Sequence, residues 1–150
     1  MNGGSTSRKS VRIEIETSPS EQTLAAVRAG MRRYTESRVP WAEYSDLSLI
    51  ARDDDGTLIA AALGETGRGW LHVSVVWVEE RARGRRLGTQ LVNAMEAEAI
   101  RRGCHGAYLD TFSYQARPFY EKLGYEVFGT LENYPRGHQR FYMRKRLGEA

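Results

Sequence analysis

Apolar and polar residues along this chain follow two periods, which predict strands and helices in alternation. Val11 to Glu16 alternates apolar with charged residues, and this pattern predicts a half-exposed strand. Trp70 to Val78 is a run of β-branched and aromatic residues, which predicts a buried strand. A stripe of apolar residues spaced four apart predicts a helix from Gly88 to Arg102.

Turn and capping residues mark where the elements begin and end. Ser18, followed by Pro19 and Glu21, predicts a helix N-terminus, and the helix runs to about Tyr34. Asp54-Asp55-Gly56 predicts a β-hairpin. The other predicted elements are strands at Leu47 to Arg52, Thr57 to Leu63, Gly106 to Phe112, Tyr125 to Leu131 and Arg140 to Leu147, and a short helix at Gln115 to Leu123. The order β-α-ββ-β-α-β-α-β-β indicates an α/β (α+β) fold, a mixed and mostly antiparallel central sheet flanked by helices.

Composition and charge predict one globular domain. With 150 residues, 41% of them hydrophobic, residues 11–150 are expected to form a single domain after a disordered tail at 1–10. The net charge of +3 suits an anionic ligand without requiring nucleic acid. The lone Cys104 is expected to pack as a small buried residue, and the Cys and His spacing predicts no metal site. No apolar run approaches the roughly 20 residues of a membrane span, so a cytoplasmic location is expected.

A turn rich in glycine and arginine joins the Trp70 strand to the following helix. It reads Arg83-Gly84-Arg85-Arg86-Leu87-Gly88. A strand, a glycine turn and a helix start place free backbone N–H groups and the helix dipole at one point, which favours phosphate. The chain contains neither GxxxxGK[ST] nor GxGxxG, so the two common nucleotide loops are excluded.

Besides this turn and the helix after it, the chain contains the segment Ala116-x-x-x-Tyr120-x-x-x-Gly124-Tyr125. Together these segments resemble the GCN5-related N-acetyltransferases. Val78-x-x-x-x-Arg83-Gly84-x-x-Leu87-Gly88 is similar to the family's acetyl-CoA signature, Q/R-x-x-G-x-G/A. Ala116-Arg117-Pro118-Phe119-Tyr120-Glu121-Lys122-Leu123-Gly124-Tyr125 is similar to its later motif, in which an alanine and a tyrosine four apart precede glycine and an aromatic residue. The likeness runs from about Leu47 to Leu147 and is closest from Trp77 to Tyr125. It implies an acyl-CoA N-acyltransferase fold and acetyl transfer from acetyl-CoA to an amine.

The resemblance also implies roles for individual residues. The turn and helix start would hold the CoA pyrophosphate, and the backbone of the Trp70 strand would hold the pantetheine arm. The residues expected to bind acetyl-CoA are Val76, Trp77, Val78, Arg83, Gly84, Arg85, Arg86, Leu87, Gly88, Thr89, Ser113, Ala116 and Tyr120. By its position in the motif, Tyr120 matches the family's general acid. The pKa of a phenol, near 10, lies close to that of an alkyl thiol, so that proton donation to the thiolate is nearly thermoneutral. The alternative interpretation of Tyr120 is a core aromatic residue.

The general base is expected at the end of the same strand. Glu79 directly follows the segment expected to bind pantetheine and is predicted to relay a proton through water, while Glu80 is equally well interpreted as a solvated surface residue. His72 within the strand is a weaker alternative base.

Two positions depart from the family's motifs. Arg86 replaces the middle glycine, and two interpretations remain open: a negative φ with the guanidinium on a CoA phosphate, or a solvent-facing side chain. Ser113 replaces an asparagine often found three residues before Ala116, which predicts a weaker or water-mediated contact to the cosubstrate.

The acceptor pocket is expected to hold aromatic and acidic side chains that suit a cationic amine. Its expected residues are Trp41, Tyr44, Asp110, Tyr134 and His138.

Two further classes of function remain as alternatives. One is a CoA-binding sensor without turnover. The other is a nucleic-acid-binding module based on the arginine-rich turn, although this turn lacks the interleaved aromatic residues of such modules. An amine-bearing acceptor is the expected partner, with no nucleic acid or membrane, and the chain is expected to be a monomer or a homodimer.

Overall fold

The computed structural model describes residues 10–148, so the tail predicted at residues 1–10 lies almost wholly outside the described residues. The described chain divides into two compact units, one ending at Trp41 and the other beginning at Ala42. The first unit contains one helix, α1 (Glu21–Glu36). Within the described residues, no helix has the length and apolar content needed to cross a bilayer.

The start of the chain differs from the prediction in two respects. Val11 to Glu16 is irregular and exposed at every residue rather than a strand, because no neighbouring strand pairs with this segment in the described structure. The N-cap of α1 is Ser20 rather than Ser18: the Ser20 hydroxyl accepts a hydrogen bond from the Thr23 N–H at 3.1 Å. A serine two residues nearer the helix thus satisfies one of its free N–H groups.

The second unit is built on a six-stranded sheet with the strand order β1-β2-β3-β4-β6-β5. The strands are β1 (Ser45–Arg52), β2 (Leu58–Gly67), β3 (Trp70–Val78), β4 (Gly106–Phe112), β5 (Glu126–Glu132) and β6 (Gln139–Arg146). All neighbouring strands are antiparallel except β3 and β4, which are parallel. This mixed, mostly antiparallel sheet confirms the predicted fold class. The predicted hairpin is also present, with Gly56 at φ +80°.

Two α-helices complete the described part of the second unit: α2 (Leu87–Arg101) and α3 (Arg117–Lys122). The apolar stripe of α2 is buried and packs on β1, β2 and β3. Leu71, Val92, Met95, Leu109 and Met143 are the largest side chains at the centre of the core. Cys104 is buried beside them, as predicted, and burial raises the pKa of its thiol. Since α2 anchors to the sheet by this stripe, its N-terminus is held at the end of β3.

Candidate active site

A β-bulge in β3 opens a gap between β3 and β4. In the pairing with β2, Val73 lies opposite Gly64 and Val75 lies opposite Leu63, so Ser74 is an extra residue in β3. The Ser74 hydroxyl donates to the Leu63 carbonyl at 2.9 Å, and a Cβ on Gly64 would lie 2.2 Å from the His72 carbonyl oxygen. Only glycine permits this close approach. The parallel pairing of β3 with β4 ends at His72 and Tyr108, so the two strands diverge beyond these residues.

The backbone of β3 beyond the bulge faces this gap. The N–H of Glu79 donates to Ile59 on β2 at 2.8 Å. Because hydrogen-bonding direction alternates along a strand, the N–H and C=O groups of Val76 and Val78 point away from β2 and into the gap. The Val78 carbonyl accepts a hydrogen bond from Arg83 Nε at 3.2 Å. Among residues 10–148, the backbone donor and acceptor of Val76 therefore remain free for a ligand that enters between the strands.

The N-terminus of α2 lies at the end of this gap. Arg86 is its N-cap residue and gives the helix no side-chain cap, and the first intrahelical bond runs from the Gln90 N–H to the Arg86 carbonyl. The N–H groups of Leu87, Gly88 and Thr89 precede that bond. Together with the positive end of the helix dipole they favour a phosphate group.

Arg86 adopts a left-handed conformation, which corrects one of the two interpretations drawn from the sequence. Its φ is +59°, not negative, so the arginine adopts a conformation that glycine occupies more easily. Gly84, two residues earlier, has φ +78°, and a Cβ added there would meet no other atom within 4 Å. Arg86 is exposed and lies beside the gap, so its guanidinium remains free to approach an anionic ligand.

A cavity of about 570 Å³ follows the open edge of β3 to the start of α2. That volume is typical of small-molecule sites. Its walls are Val76, Trp77, Val78, Arg83, Gly84, Arg86, Leu87, Gly88, Thr89, Ala116 and Phe119. Ten of these residues were predicted to bind acetyl-CoA, and Phe119 was not. A Cβ on Gly88 would lie 3.3 Å from the Phe119 ring, so the glycine admits the aromatic side chain that forms one wall.

Three predicted cosubstrate residues, Arg85, Ser113 and Tyr120, do not line this cavity. Arg85 is exposed on the same turn. Ser113 instead contacts β6 and the loop before it: its hydroxyl accepts from the Gln139 N–H at 3.1 Å and lies 3.3 Å from His138 Nδ1. Phe119, which sequence patterns could not separate from a core residue, occupies the wall beside Tyr120.

Tyr120 is a mostly buried phenol in the described part of the chain. The residue is 8% exposed, and its ring packs edge-on against Phe119 and Tyr125. Within residues 10–148 its hydroxyl makes no hydrogen bond, yet no fully buried side-chain polar atom there lacks a partner, so the hydroxyl keeps some exposure. Burial, and secondarily the charge of Asp110, raise the pKa of Tyr120 to about 12. The group is therefore held protonated at neutral pH.

Tyr125 provides a contrast, since its hydroxyl is fixed by the protein. It donates to Glu96 Oε1 at 3.0 Å, and Lys145 Nζ pairs with Glu96 Oε2 at 2.7 Å. Burial and the Glu96 carboxylate raise the pKa of Tyr125. This buried network accounts for Tyr125 as a structural residue and leaves Tyr120 as the phenol available to a ligand.

Glu79, predicted as the base, contacts the turn that follows β3. Its carboxylate accepts from the Arg81 N–H at 2.9 Å and pairs with Arg81 Nε at 3.2 Å. The side chain thereby caps the short 3-10 helix Glu80–Ala82. Proton relay by Glu79 stays a prediction, and the structure gives the carboxylate this second role.

Three of the five predicted acceptor residues belong to one cluster around Arg140. Arg140 Nε pairs with Asp110 Oδ2 at 2.7 Å, and its guanidinium lies 5.0 Å from the centre of the Tyr134 ring. Tyr134 stacks on Phe112, and His138 contacts Ser113. Tyr134, one of the aromatic residues predicted to hold a cationic amine, thus already contacts a cation of the protein.

The other two predicted acceptor residues lie elsewhere. Tyr44 packs against Gly67, where an added Cβ would lie 2.3 Å from the Tyr44 ring. Trp41 belongs to the first unit, and the Arg32 guanidinium lies 4.7 Å above its ring. The structure accounts for both aromatic side chains by local packing.

Comparison with known proteins identifies the class that this fold and cavity define. Residues 14–125 match the model of the acetyltransferase (GNAT) family. The chain is 34% identical over 122 residues to an acetyltransferase of Agrobacterium fabrum, covering 81% of the chain and 89% of that protein. It is 35% identical over 104 residues to the blasticidin-S acetyltransferase of Streptomyces morookaense, covering 67% of the chain and 76% of that protein. A crystal structure of an acetyltransferase from Agrobacterium tumefaciens superposes with a TM-score of 0.81 at 30% identity, covering 91% of the chain and 99% of that structure. The chain belongs to the acetyltransferase (GNAT) family.

Proposed function

We propose that this protein transfers an acetyl group from acetyl-CoA to a primary amine in a ternary complex. The observation that carries the proposal is the open edge of β3, which leads directly to the uncapped N-terminus of α2 along one cavity. An elongated ligand with amides along its length and phosphates at one end matches both the strand edge and the helix N-terminus. Acetyl-CoA has that shape and supplies the acetyl thioester.

Different residues of the cavity would bind different parts of acetyl-CoA. The N–H groups of Leu87, Gly88 and Thr89 would bind the pyrophosphate, with Arg86 adding a charge-assisted bond. The free N–H and C=O groups of Val76 would bind the pantetheine amides as a neighbouring strand would. Phe119 excludes water from the opposite wall. A Cβ at Gly84 would meet no neighbouring atom, which leaves the turn open to the ligand.

Tyr120 is proposed to protonate the leaving thiolate. The amine nitrogen attacks the thioester carbonyl carbon, a C–N bond forms and the C–S bond breaks. The thiolate then takes the hydroxyl proton of Tyr120. With its pKa raised to about 12, Tyr120 stays protonated at neutral pH until the thiolate forms. The same shift makes the release of its proton about 3 kcal/mol more costly than release from a phenol of ordinary pKa.

The proposed acceptor is a small molecule or a peptide that carries a primary amine. The relative from Streptomyces morookaense is named for acetylation of blasticidin S, which makes that compound a rational first acceptor. The exposed Tyr114 and Tyr134 rings beside Phe112 provide a surface for a planar group.

Calorimetric titration followed by a turnover assay tests the proposal. The protein is titrated with acetyl-CoA, CoA and ATP, and free thiol is then measured with blasticidin S, a polyamine, a lysine peptide and an aliphatic monoamine. The proposal predicts binding of both CoA species, no binding of ATP, and thiol release with at least one amine. Binding without thiol release would support a CoA sensor, and absence of CoA binding would contradict the proposed function.

A further inference from the structure

We infer that His72 is the general base that takes the proton from the acceptor amine, with Glu65 as its positioning residue. The inference rests on the proposed function. Proton removal from the amine, for which the sequence favours Glu79, is thereby assigned to a histidine within β3.

His72 lies at the point where β3 and β4 diverge. It is the last residue of β3 paired with β4, and the bulge at Ser74 follows it. Along β3, Val78 and Ser74 are four residues apart, which is a distance of roughly 13 Å. A ligand arm that starts at the N-terminus of α2 and runs along β3 from Val78 towards His72 covers this distance when it reaches Ser74. The reactive end of that ligand therefore reaches the closed end of the gap, where His72 is the first titratable side chain of β3.

The His72 ring also lies on the face of the sheet from which an acceptor can approach. Leu71 and Val73 are buried beneath α2, and alternation along the strand directs His72 to the opposite face. Its side chain is 30% exposed, so it is accessible to solvent and to an amine. Cosubstrate and acceptor would thus meet at His72 from opposite faces of the sheet.

The neighbouring strands hold the ring in a fixed orientation. Glu65 lies directly opposite His72 on β2, with Oε1 3.8 Å from His72 Nδ1. Tyr108 lies opposite on β4, and its ring stacks on the imidazole at 4.7 Å with an interplanar angle of 13°. A carboxylate beside Nδ1 favours the proton there, which leaves Nε2 as the acceptor, and it stabilises the imidazolium that forms.

The other ionisable groups around His72 are accounted for. Burial, and secondarily Tyr44 and Glu65, raise the pKa of Tyr108, so that phenol stays neutral. Arg144, opposite Tyr108 on β6, is paired with Glu126. Glu65 is therefore the charged group that acts on His72.

The rival base is less well placed. Glu79 lies beyond Val78, at the phosphate end of the gap, and its carboxylate is bonded to Arg81.

In the proposed step, the amine nitrogen forms the C–N bond and the C–S bond breaks. His72 Nε2 takes the surplus proton of the nitrogen, and Tyr120 supplies the proton that the thiolate takes. Each proton thus has one donor and one acceptor.

Four variants test the inference with the amine that turns over in the panel above: H72Q, E65Q, E79Q and H105Q. For H72Q we expect kcat to fall by about 10²- to 10⁴-fold with acetyl-CoA affinity retained. E65Q should lower kcat less than H72Q does and should also retain acetyl-CoA affinity. H105Q should match the wild type, since His105 packs against Trp70 outside the gap.

A second readout does not depend on turnover. Addition of CoA should shift the ring-proton NMR signals of His72 and leave those of His105 in place. Turnover by the wild type with an unchanged kcat in H72Q, or a larger fall of kcat in E79Q than in H72Q, would overturn this inference alone. Absence of turnover with every amine would overturn it together with the proposed function.

Discussion

Replacement of Arg86 by glycine separates the two roles that the structure gives this residue. Arg86 has φ +59° at the start of α2, and it lines the cavity beside three free N–H groups. Arg86→Gly removes the backbone strain and also removes a positive charge from the phosphate site. We therefore expect the variant to be more stable than the wild type and to bind acetyl-CoA less tightly.

The size of the stability change follows from the backbone conformation. A non-glycine residue in the left-handed region costs about 1–2 kcal/mol. Glycine loses about 0.5–1 kcal/mol more conformational entropy on folding. The difference is a gain of about 0.5–1 kcal/mol, which raises Tm by about 1–4 °C in a chain of this length.

The size of the affinity change follows from the exposure of the side chain. Arg86 is exposed, so a contact to phosphate is screened by solvent and contributes about 1 kcal/mol or less. The Kd of acetyl-CoA should rise by up to roughly fivefold. This difference should shrink as salt is raised, because ions screen an exposed charge pair.

Two control variants isolate each effect. Arg68 has φ +53° in the turn between β2 and β3 and lines no part of the cavity, so Arg68→Gly should raise Tm without changing the Kd of acetyl-CoA. Arg86→Ala keeps the strained conformation and should raise the Kd without raising Tm. Thermal unfolding and calorimetry at two salt concentrations measure both quantities. A lower Tm in Arg86→Gly would refute the strain argument, and an unchanged Kd in both Arg86 variants at low salt would refute the phosphate contact.

Three further predictions concern the acid, its pH dependence and the strand edge. Tyr120→Phe should lower kcat by about 10²- to 10⁴-fold and keep acetyl-CoA affinity. Tyr125→Phe should keep kcat and lose about 1–3 kcal/mol of stability, because Glu96 loses a hydrogen-bond partner. Equal kcat in the two variants would exclude Tyr120 as the acid. Because the pKa of Tyr120 is raised to about 12, ionisation of Tyr120 should not lower kcat up to pH 10. The contribution of this pKa shift to folding stability should be complete below pH 10 and should disappear between pH 10 and 12. A fall in kcat below pH 9 that is absent in Tyr120→Phe would contradict that pKa. Val76→Pro should fold, since the Val76 N–H faces the gap, and should bind acetyl-CoA about 2- to 13-fold more weakly through loss of one donor. Unchanged affinity in a folded variant would show that the ligand does not bond to this amide.

The sequence predicts the central elements well because their signals are local. The β-branched run Trp70–Val78 and the strand Gly106–Phe112 have the predicted bounds, and the predicted helix from Gly88 begins one residue earlier. By contrast, Val11 to Glu16 has the alternation of a strand without a partner in the described structure. A strand requires pairing, and an alternating pattern does not specify a neighbour.

The candidate site is only partly predictable, because its shape depends on contacts between distant residues. The turn and its glycines are readable from their order along the chain, and ten of the eleven cavity residues were predicted from the sequence. The bulge at Ser74 depends on how β2 and β3 align, which no local pattern shows. Asp110 illustrates the same limit: its charge is visible in the sequence, but its pairing with Arg140 follows from the register of β4 and β6.

Amide hydrogen exchange of β3 tests the central claim most directly. In the proposed complex, the cosubstrate bonds to the free edge of β3 between Val76 and Val78. On addition of acetyl-CoA, the amides of Val76 and Val78 should exchange at least about tenfold more slowly, whereas the amide of Glu79, already bonded to Ile59, should change little. Unchanged exchange at Val76 and Val78 under saturating acetyl-CoA would contradict the account.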